Sequence, residues 1–348
     1  MALPRLLAPD SVAHPIYHCI SRVVDRRMIF QAAEKEQFVR FMRRYEGLCG
    51  VKVLTHCVMG NHFHVLVEVP RRPEVPPNET ELIALVEMTL GQAAAQALSN
   101  RLEQWKKQNN TVAIATELER WYSQMWDLGR FMKMLKQRFS CWYNKRQPVR
   151  RTGTLWEERY RSVLVGSGEA LQATAIYIDL NPVRAGIVKD PKDYRWSGYG
   201  EAAGGHYASQ AALARMAELS SPALTNRTQE ERSWVADMMA WYRETLYGRG
   251  AEVCDETGAV VRRGFSAAEI EAVRDARGDL PLRAYLSLRV RYLTAGAVLG
   301  TTEFVEEVFQ GRRKWFSPKR QSGARRLKGL ARDCPLRTAR ALTVHPYG

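Results

Sequence analysis

Apolar and polar positions alternate over residues 16–24, the period of a strand with one buried face. Over residues 34–49 the apolar spacing becomes helical, through Phe38, Phe41, Met42 and Tyr45, and Gly50 supplies a stop. Residues 51–59 and 62–69 read as two further strands joined by a turn at Gly60-Asn61. A proline-rich exit over residues 70–77 leads to Asn78, an N-cap with Glu81 three residues on, which opens one or two helices reaching residue 108. Residues 128–146 again have helical spacing, 154–165 read as a strand, and 169–180 as a mostly apolar helix ended by Pro182 and Gly186. The order β-α-β-β-α-β-α predicts an α+β fold: a ferredoxin-like antiparallel sheet with helices on one face. Residues 1–200 form the expected first domain, with 78–128 a helical insertion that reads either as a packed hairpin or as a DNA clamp.

Glycines at 198, 200, 204 and 205 mark the descent into a loop-rich linker. Helical stretches are expected at 229–247, at 266–277 behind a capping-box signature, at 281–293 and at 302–309. Residues 201–311 are therefore expected to be an α-helical accessory domain, and the stretch around Gly296 and Gly300 is weighed as the turn of a helix-turn-helix. Residues 312–348 read as a basic tail: eleven lysines and arginines over 312–340 stand against Asp333 alone.

Charge narrows the function. The 348 residues carry 52 Lys+Arg against 37 Asp+Glu, a formal +15, which suits a nucleic-acid partner. Six scattered cysteines without a CxxC pair speak against a disulfide framework and for a reducing compartment. Neither a signal peptide nor a membrane span is read, so the expectation is a cytoplasmic, nucleoid-associated protein without a membrane partner. No glycine-rich nucleotide loop is present, so no nucleotide cofactor is expected.

Two stretches carry the chemistry. In Asn61-His62-Phe63-His64-Val65 the imidazoles share one face of a strand, about 7 Å apart, where they can converge on a divalent ion. Alone the pair is also compatible with an ordinary half-exposed strand. The second stretch, Ala175 to Gly186, places Tyr177 and Asn181 four residues apart on one helix face. Together these residues offer two imidazoles and an amide oxygen for a metal, with a phenol beside them. A structural zinc joining His56 and Cys57 to the pair is the competing reading, weakened because neighbouring strand residues point to opposite faces. Candidate DNA contacts are Arg130, Lys133 and Lys136 on a basic helix face. Trp156, Arg159 and Tyr160 interleave aromatics with charge, and Arg312, Arg313, Lys314, Lys319 and Arg320 stand in the tail.

In chain order, the run from Gly60 to Leu66, the segment Trp156-Glu157-Glu158-Arg159-Tyr160 and the run from Tyr177 to Gly186 resemble the motifs of single-tyrosine HUH transposases of the IS200-like family, and among these the REP-associated tyrosine transposases. The likeness spans residues 14–200 apart from the insertion, and residues 281–329 resemble an extension of longer members. Gly60 stands where many members carry proline, a difference confined to the turn. The resemblance implies an HUH nuclease fold with Tyr177 as nucleophile. It implies His62, His64 and Asn181 as ligands of Mg or Mn, and Arg184 near the DNA. It further implies a metal-dependent endonuclease and strand-transferase of DNA transposition and recombination, acting on hairpin-bearing single-stranded DNA through a 5′-phosphotyrosine and a free 3′-hydroxyl. Compact members act as homodimers, with the tyrosine helix sometimes supplied in trans. A domesticated DNA-binding protein that keeps the fold, or an RNA-binding or RNA-processing protein, are the alternatives.

Overall fold

A computed structural model describes residues 6–149, 151–220, 241–244, 246–247, 253–254, 260–262, 267–268, 270–271, 293–294, 296–327, 335–340 and 342. The chain begins with β1 (Ile16–Arg22), α1 (Ala32–Cys49), β2 (Lys52–Val58) and β3 (His62–Glu68). The helices α2 (Glu79–Leu90), α3 (Gln92–Lys107), α4 (Thr111–Tyr122) and α5 (Leu128–Lys145) follow. Next come β4 (Arg161–Val165), α6 (Glu169–Asp179), α7 (Asn181–Arg184), α8 (Gly198–Ala203) and α9 (Tyr207–Ser220). The C-terminal third holds β5 (Val253–Cys254), β6 (Val260–Arg262), β7 (Val298–Gly300), α10 (Thr302–Gly311), β8 (Arg325–Arg326) and β9 (Arg337–Ala339). The fold is α+β, and its element order through α6 is the predicted one except for α4, an unpredicted helix within the insertion.

Two compact units can be distinguished. One comprises residues 1–30, 54–67 and 156–348, the other residues 31–53 and 68–155. The second unit is helical. Its core gathers Leu48, Leu82, Val86, Leu98, Leu102, Tyr122 and Met125, so most of the insertion at 78–128 is packed helix with its own apolar interior. Local rules set its boundaries. Asn78 accepts from the Glu81 amide at 3.0 Å while the Glu81 carboxylate accepts from the Asn78 amide at 2.8 Å, a reciprocal cap of about 1 kcal/mol. Gly50 ends α1 at φ +60°, where an added Cβ would meet the Trp126 indole at 2.7 Å, so both conformation and space demand glycine.

The sheet runs in the order β2-β3-β1-β4-β7-β9-β8. Its first four strands have the ferredoxin-like order, with β1 antiparallel to β4 and His18 opposite Val163. Beyond β4 the sheet is mixed: β7 pairs parallel to β4, which the long intervening chain permits, and antiparallel to β9. The stretch expected to be a helical accessory domain thus carries strands besides helix, and part of the expected basic tail, β8 and β9, is paired in the sheet. The helix-turn-helix reading around Gly296 and Gly300 is corrected. Ala297-Val298-Leu299 is a buried apolar run whose last two residues pair with β4, so this segment is strand rather than turn. The helices expected over 229–240, 272–277 and 281–292 lie outside the described residues. Among the described residues no helix is long and apolar enough to cross a membrane.

Candidate active site

Strand alternation and strand order together build the site. β3 lies beside β1, so the face that carries His62 and His64 adjoins residues of β1. One pocket is lined by His62, His64 and Tyr177, with Ile20, Ser21 and Thr294 in its wall. Arg22, Arg159, Arg161, Glu157 and Glu158 line it as well, and all five are exposed. The His62 and His64 rings lie 5.2 Å apart between centroids, and the Tyr177 ring stands edge-on to His64 at 5.6 Å. The histidine pair and the phenol singled out from sequence are thus neighbours within one chain.

The ring nitrogens can be assigned from their partners. His62 Nδ1 lies 2.7 Å from the Asn61 carboxamide oxygen, which only accepts, so Nδ1 carries the proton and Nε2 the lone pair. Burial lowers the His62 pKa to about 4, with Arg22 adding to the effect, and lowers the His18 pKa to about 4. His64 is held well below the ordinary histidine range by burial, reinforced by its neighbours His18 and His62. All three imidazoles are neutral at physiological pH, the state in which histidine binds a metal. Neither the His62 nor the His64 Nε2 has a hydrogen-bond partner among the described residues, so both fit a divalent ion. Burial also raises the Tyr177 pKa, against the lowering effect of Arg184 and Arg22. Arg184 sits 5.0 Å over the Tyr177 ring.

What fixes Tyr177 in place lies two residues on. Asp179 is wholly buried and its carboxylate accepts from three donors, one of them shared between its two oxygens. Thr55 Oγ1 donates at 2.8 and 3.1 Å, Tyr242 Oη at 2.5 Å and the Tyr199 amide at 3.3 Å. The α8 backbone reaches this cluster because Gly198 has no side chain: a Cβ there would meet Thr55 Oγ1 at 2.3 Å. Burial nevertheless raises the Asp179 pKa from 3.8 to about 7, its hydrogen bonds opposing. A carboxyl whose folded pKa exceeds its unfolded value binds more protons when folded. Its contribution is present below pH 3.8, is lost as pH rises to about 7 and changes no further above. Relative to Asp179→Asn, the wild type is expected to lose on the order of 3–4 kcal/mol of stability between these limits. Denaturant unfolding at pH 5, 6, 7 and 8 checks this: parallel curves for the two proteins would contradict it.

The other sequence-predicted residues are placed differently. Asn181 is not among the pocket-lining residues. Its Nδ2 donates to the carbonyls of Tyr177 at 3.0 Å and Ile178 at 3.2 Å, which makes Oδ1 the atom left over. Trp156, expected on the DNA, is buried edge-on to Phe63 at 5.5 Å and tilted against Phe30 at 6.2 Å, because it bridges to Val23 ahead of β4. It is core rather than a stacking platform. Arg159 stays exposed, 5.9 Å over the half-buried Tyr160 ring. Arg130 donates to Gln124, Lys136 is buried and Lys133 is exposed, all on α5 of the second unit. Three tail arginines serve the fold. Arg312 donates to the carbonyls of Leu7 at 2.9 Å and Ala8 at 2.8 Å. Arg313 donates to those of Phe316, Ser317, Pro318 and Arg320, and Arg320 to those of Ser322, Gly323 and Arg340. Lys314 and Lys319 are exposed. Among the described residues no three His, Cys, Asp or Glu side chains converge as a metal site. The zinc reading is not met: Cys57 is buried in the core beside Met59, while the His56 ring lies 3.9 Å from Glu201.

Sequence reasoning missed His18 and Arg22. The alternation used for β3 also puts His18, Ile20 and Arg22 on one face of β1. The lacking information was that β1 would lie beside β3.

Residues 11–80, which carry β1, α1, β2 and β3, match the family model described as "Transposase IS200 like". A solved structure described as "Structure of the REP associates tyrosine transposase bound to a REP hairpin" is similar over 60% of this chain and 88% of its own length, at 12% identity and a TM-score of 0.38. No curated protein matches the chain.

Proposed function

We propose that this chain, whose first strands match IS200-like transposases, is a metal-dependent single-stranded DNA endonuclease and strand-transferase acting through a 5′-phosphotyrosine intermediate. One observation carries the reading. Tyr177, His62 and His64 line one pocket, and the phenol oxygen and both Nε2 atoms have no hydrogen-bond partner among the described residues. A structural histidine pair in a packed core would spend those atoms on neighbours.

The Nε2 atoms of His62 and His64 would hold Mg or Mn, which when bound offsets charge on a non-bridging oxygen of the scissile phosphate. Asn181, one turn after Tyr177 and outside the pocket lining, has Oδ1 left over as a third donor and would have to turn that oxygen toward the ion. Arg22, Arg159 and Arg161 supply charge-assisted contacts to flanking phosphates. The Tyr177 oxygen attacks phosphorus. Its new O–P bond forms as the bond to the 3′-oxygen breaks, the phenol gives up its proton and the departing 3′-oxygen takes one up. A phenol is ordinarily protonated at neutral pH and burial raises the Tyr177 pKa further, so the proton is given up as the O–P bond forms, with Arg184 and Arg22 favouring the phenolate. The phosphotyrosine ester retains the energy of the broken bond, so a second 3′-hydroxyl reverses the step and joins ends without ATP. The proposed reacting groups lie together within one chain, which supports cleavage in cis; a homodimer would then serve to hold two DNA ends.

The substrate proposed from the motif resemblance is single-stranded DNA bearing a hairpin. Purified full-length protein mixed with labelled hairpin oligonucleotides is expected to give a denaturant-resistant adduct with Mg or Mn and none with EDTA. Tight binding without cleavage under any divalent ion would instead establish a non-catalytic DNA-binding protein. Preferential capture of the matched RNA hairpin would establish an RNA-directed one.

A further inference from the structure

His18 has no part in the chemistry above, yet it is wholly buried against the proposed metal site and bonded at both ring nitrogens. Its Nδ1 lies 2.7 Å from the Leu293 carbonyl oxygen, and its Nε2 lies 2.9 Å from His64 Nδ1. The two rings are stacked, with centroids 5.1 Å apart and planes 25° off parallel.

Hydrogen-bond polarity then runs in one direction. A carbonyl oxygen only accepts, so the proton on His18 must sit on Nδ1. A second proton on Nε2 would create a buried cation whose only hydrogen-bonded partners among the described residues are a carbonyl and another imidazole, next to a pocket that already holds Arg22. Nε2 is therefore a lone pair and an acceptor. His64 must donate to it through Nδ1–H, which leaves the His64 lone pair on Nε2. We propose that His18 is the positioning residue of the metal site: it relays the polarity of the Leu293 carbonyl to His64, locking His64 in the tautomer whose Nε2 can ligate the ion. His62 receives the same instruction from the Asn61 side chain, so each ligand has its own orienting partner.

This inference rests on the reading of His62 and His64 as metal ligands, and its test separates the two. Nitrogen-15 NMR of the metal-free protein reads the tautomer directly: the His64 proton is expected on Nδ1, and a proton found on Nε2 overturns the proposal. Mn binding, followed by calorimetry or by the loss of the free-ion EPR signal, reads the consequence. His18→Leu removes the acceptor and is expected to weaken Mn binding about 10–100-fold. In His18→Gln the side-chain amide nitrogen can donate to Leu293 and its oxygen accept from His64, so Mn affinity is expected within about threefold of wild type. Unchanged Mn affinity in a folded His18→Leu overturns the proposal while leaving the metal site intact. Wild-type protein that binds no Mn overturns the metal reading itself. If His18→Leu does not fold, the wild-type tautomer and the His18→Gln affinity still decide.

Discussion

Tyr177→Phe is expected to abolish the covalent DNA adduct, lowering cleavage at least about 10³-fold, because the only atom removed is the one proposed to attack phosphorus. The same substitution should leave the fold alone. The phenol oxygen has no hydrogen-bond partner among the described residues, while the ring contacts to His64, His18 and Arg184 are kept by phenylalanine. The change in unfolding free energy is expected within about 0.5 kcal/mol, and hairpin binding within about threefold, since the ring is not the main phosphate contact. Denaturing gels for the adduct, with a thermal melt and a binding titration, separate these quantities. An adduct that persists in Tyr177→Phe would move the nucleophile elsewhere.

His62→Ala and His64→Ala carry the second large effect, a loss of at least about 10²-fold in divalent-dependent cleavage for either one. Their stability costs should differ. His64 is buried and its Nδ1 pairs with His18, so alanine leaves a cavity and an unpaired imidazole nitrogen and is expected to cost about 1–3 kcal/mol. Among the described residues half-buried His62 is bonded to the neighbouring Asn61 alone, so its removal should cost under about 1 kcal/mol. Because both are proposed to hold one ion, the double substitution is expected to be hardly worse in cleavage than either single one. Strictly additive losses would show that the histidines act separately rather than on a shared ion.

The sequence made legible what depends on local rules. The Asn78–Glu81 cap, the Gly50 stop and the strand alternation at His62 and His64 are set by residues within a few positions of each other. The Tyr177 helix could be delimited from its apolar run and Pro182. What depends on which strands become neighbours was not legible. His18 joins the site only because β1 lies beside β3, and Asp179 finds Thr55 and Tyr242 from distant parts of the chain. Charge was the least informative signal. The spelling of Arg312, Arg313 and Arg320 is that of a phosphate-binding tail, but a guanidinium serves equally to collect backbone carbonyls, and here these three do so. Trp156 misled for a related reason: an aromatic beside arginines reads as a stacking surface unless its burial between Phe30 and Phe63 is known.

The central claim is that Tyr177 attacks the phosphate that the histidine pair prepares. Trapping the denaturant-resistant adduct, trimming its DNA with nuclease and sequencing the modified peptide by mass spectrometry tests it most directly. A nucleotide esterified to Tyr177 is the predicted result. Attachment at another side chain, such as Tyr160, would contradict the account.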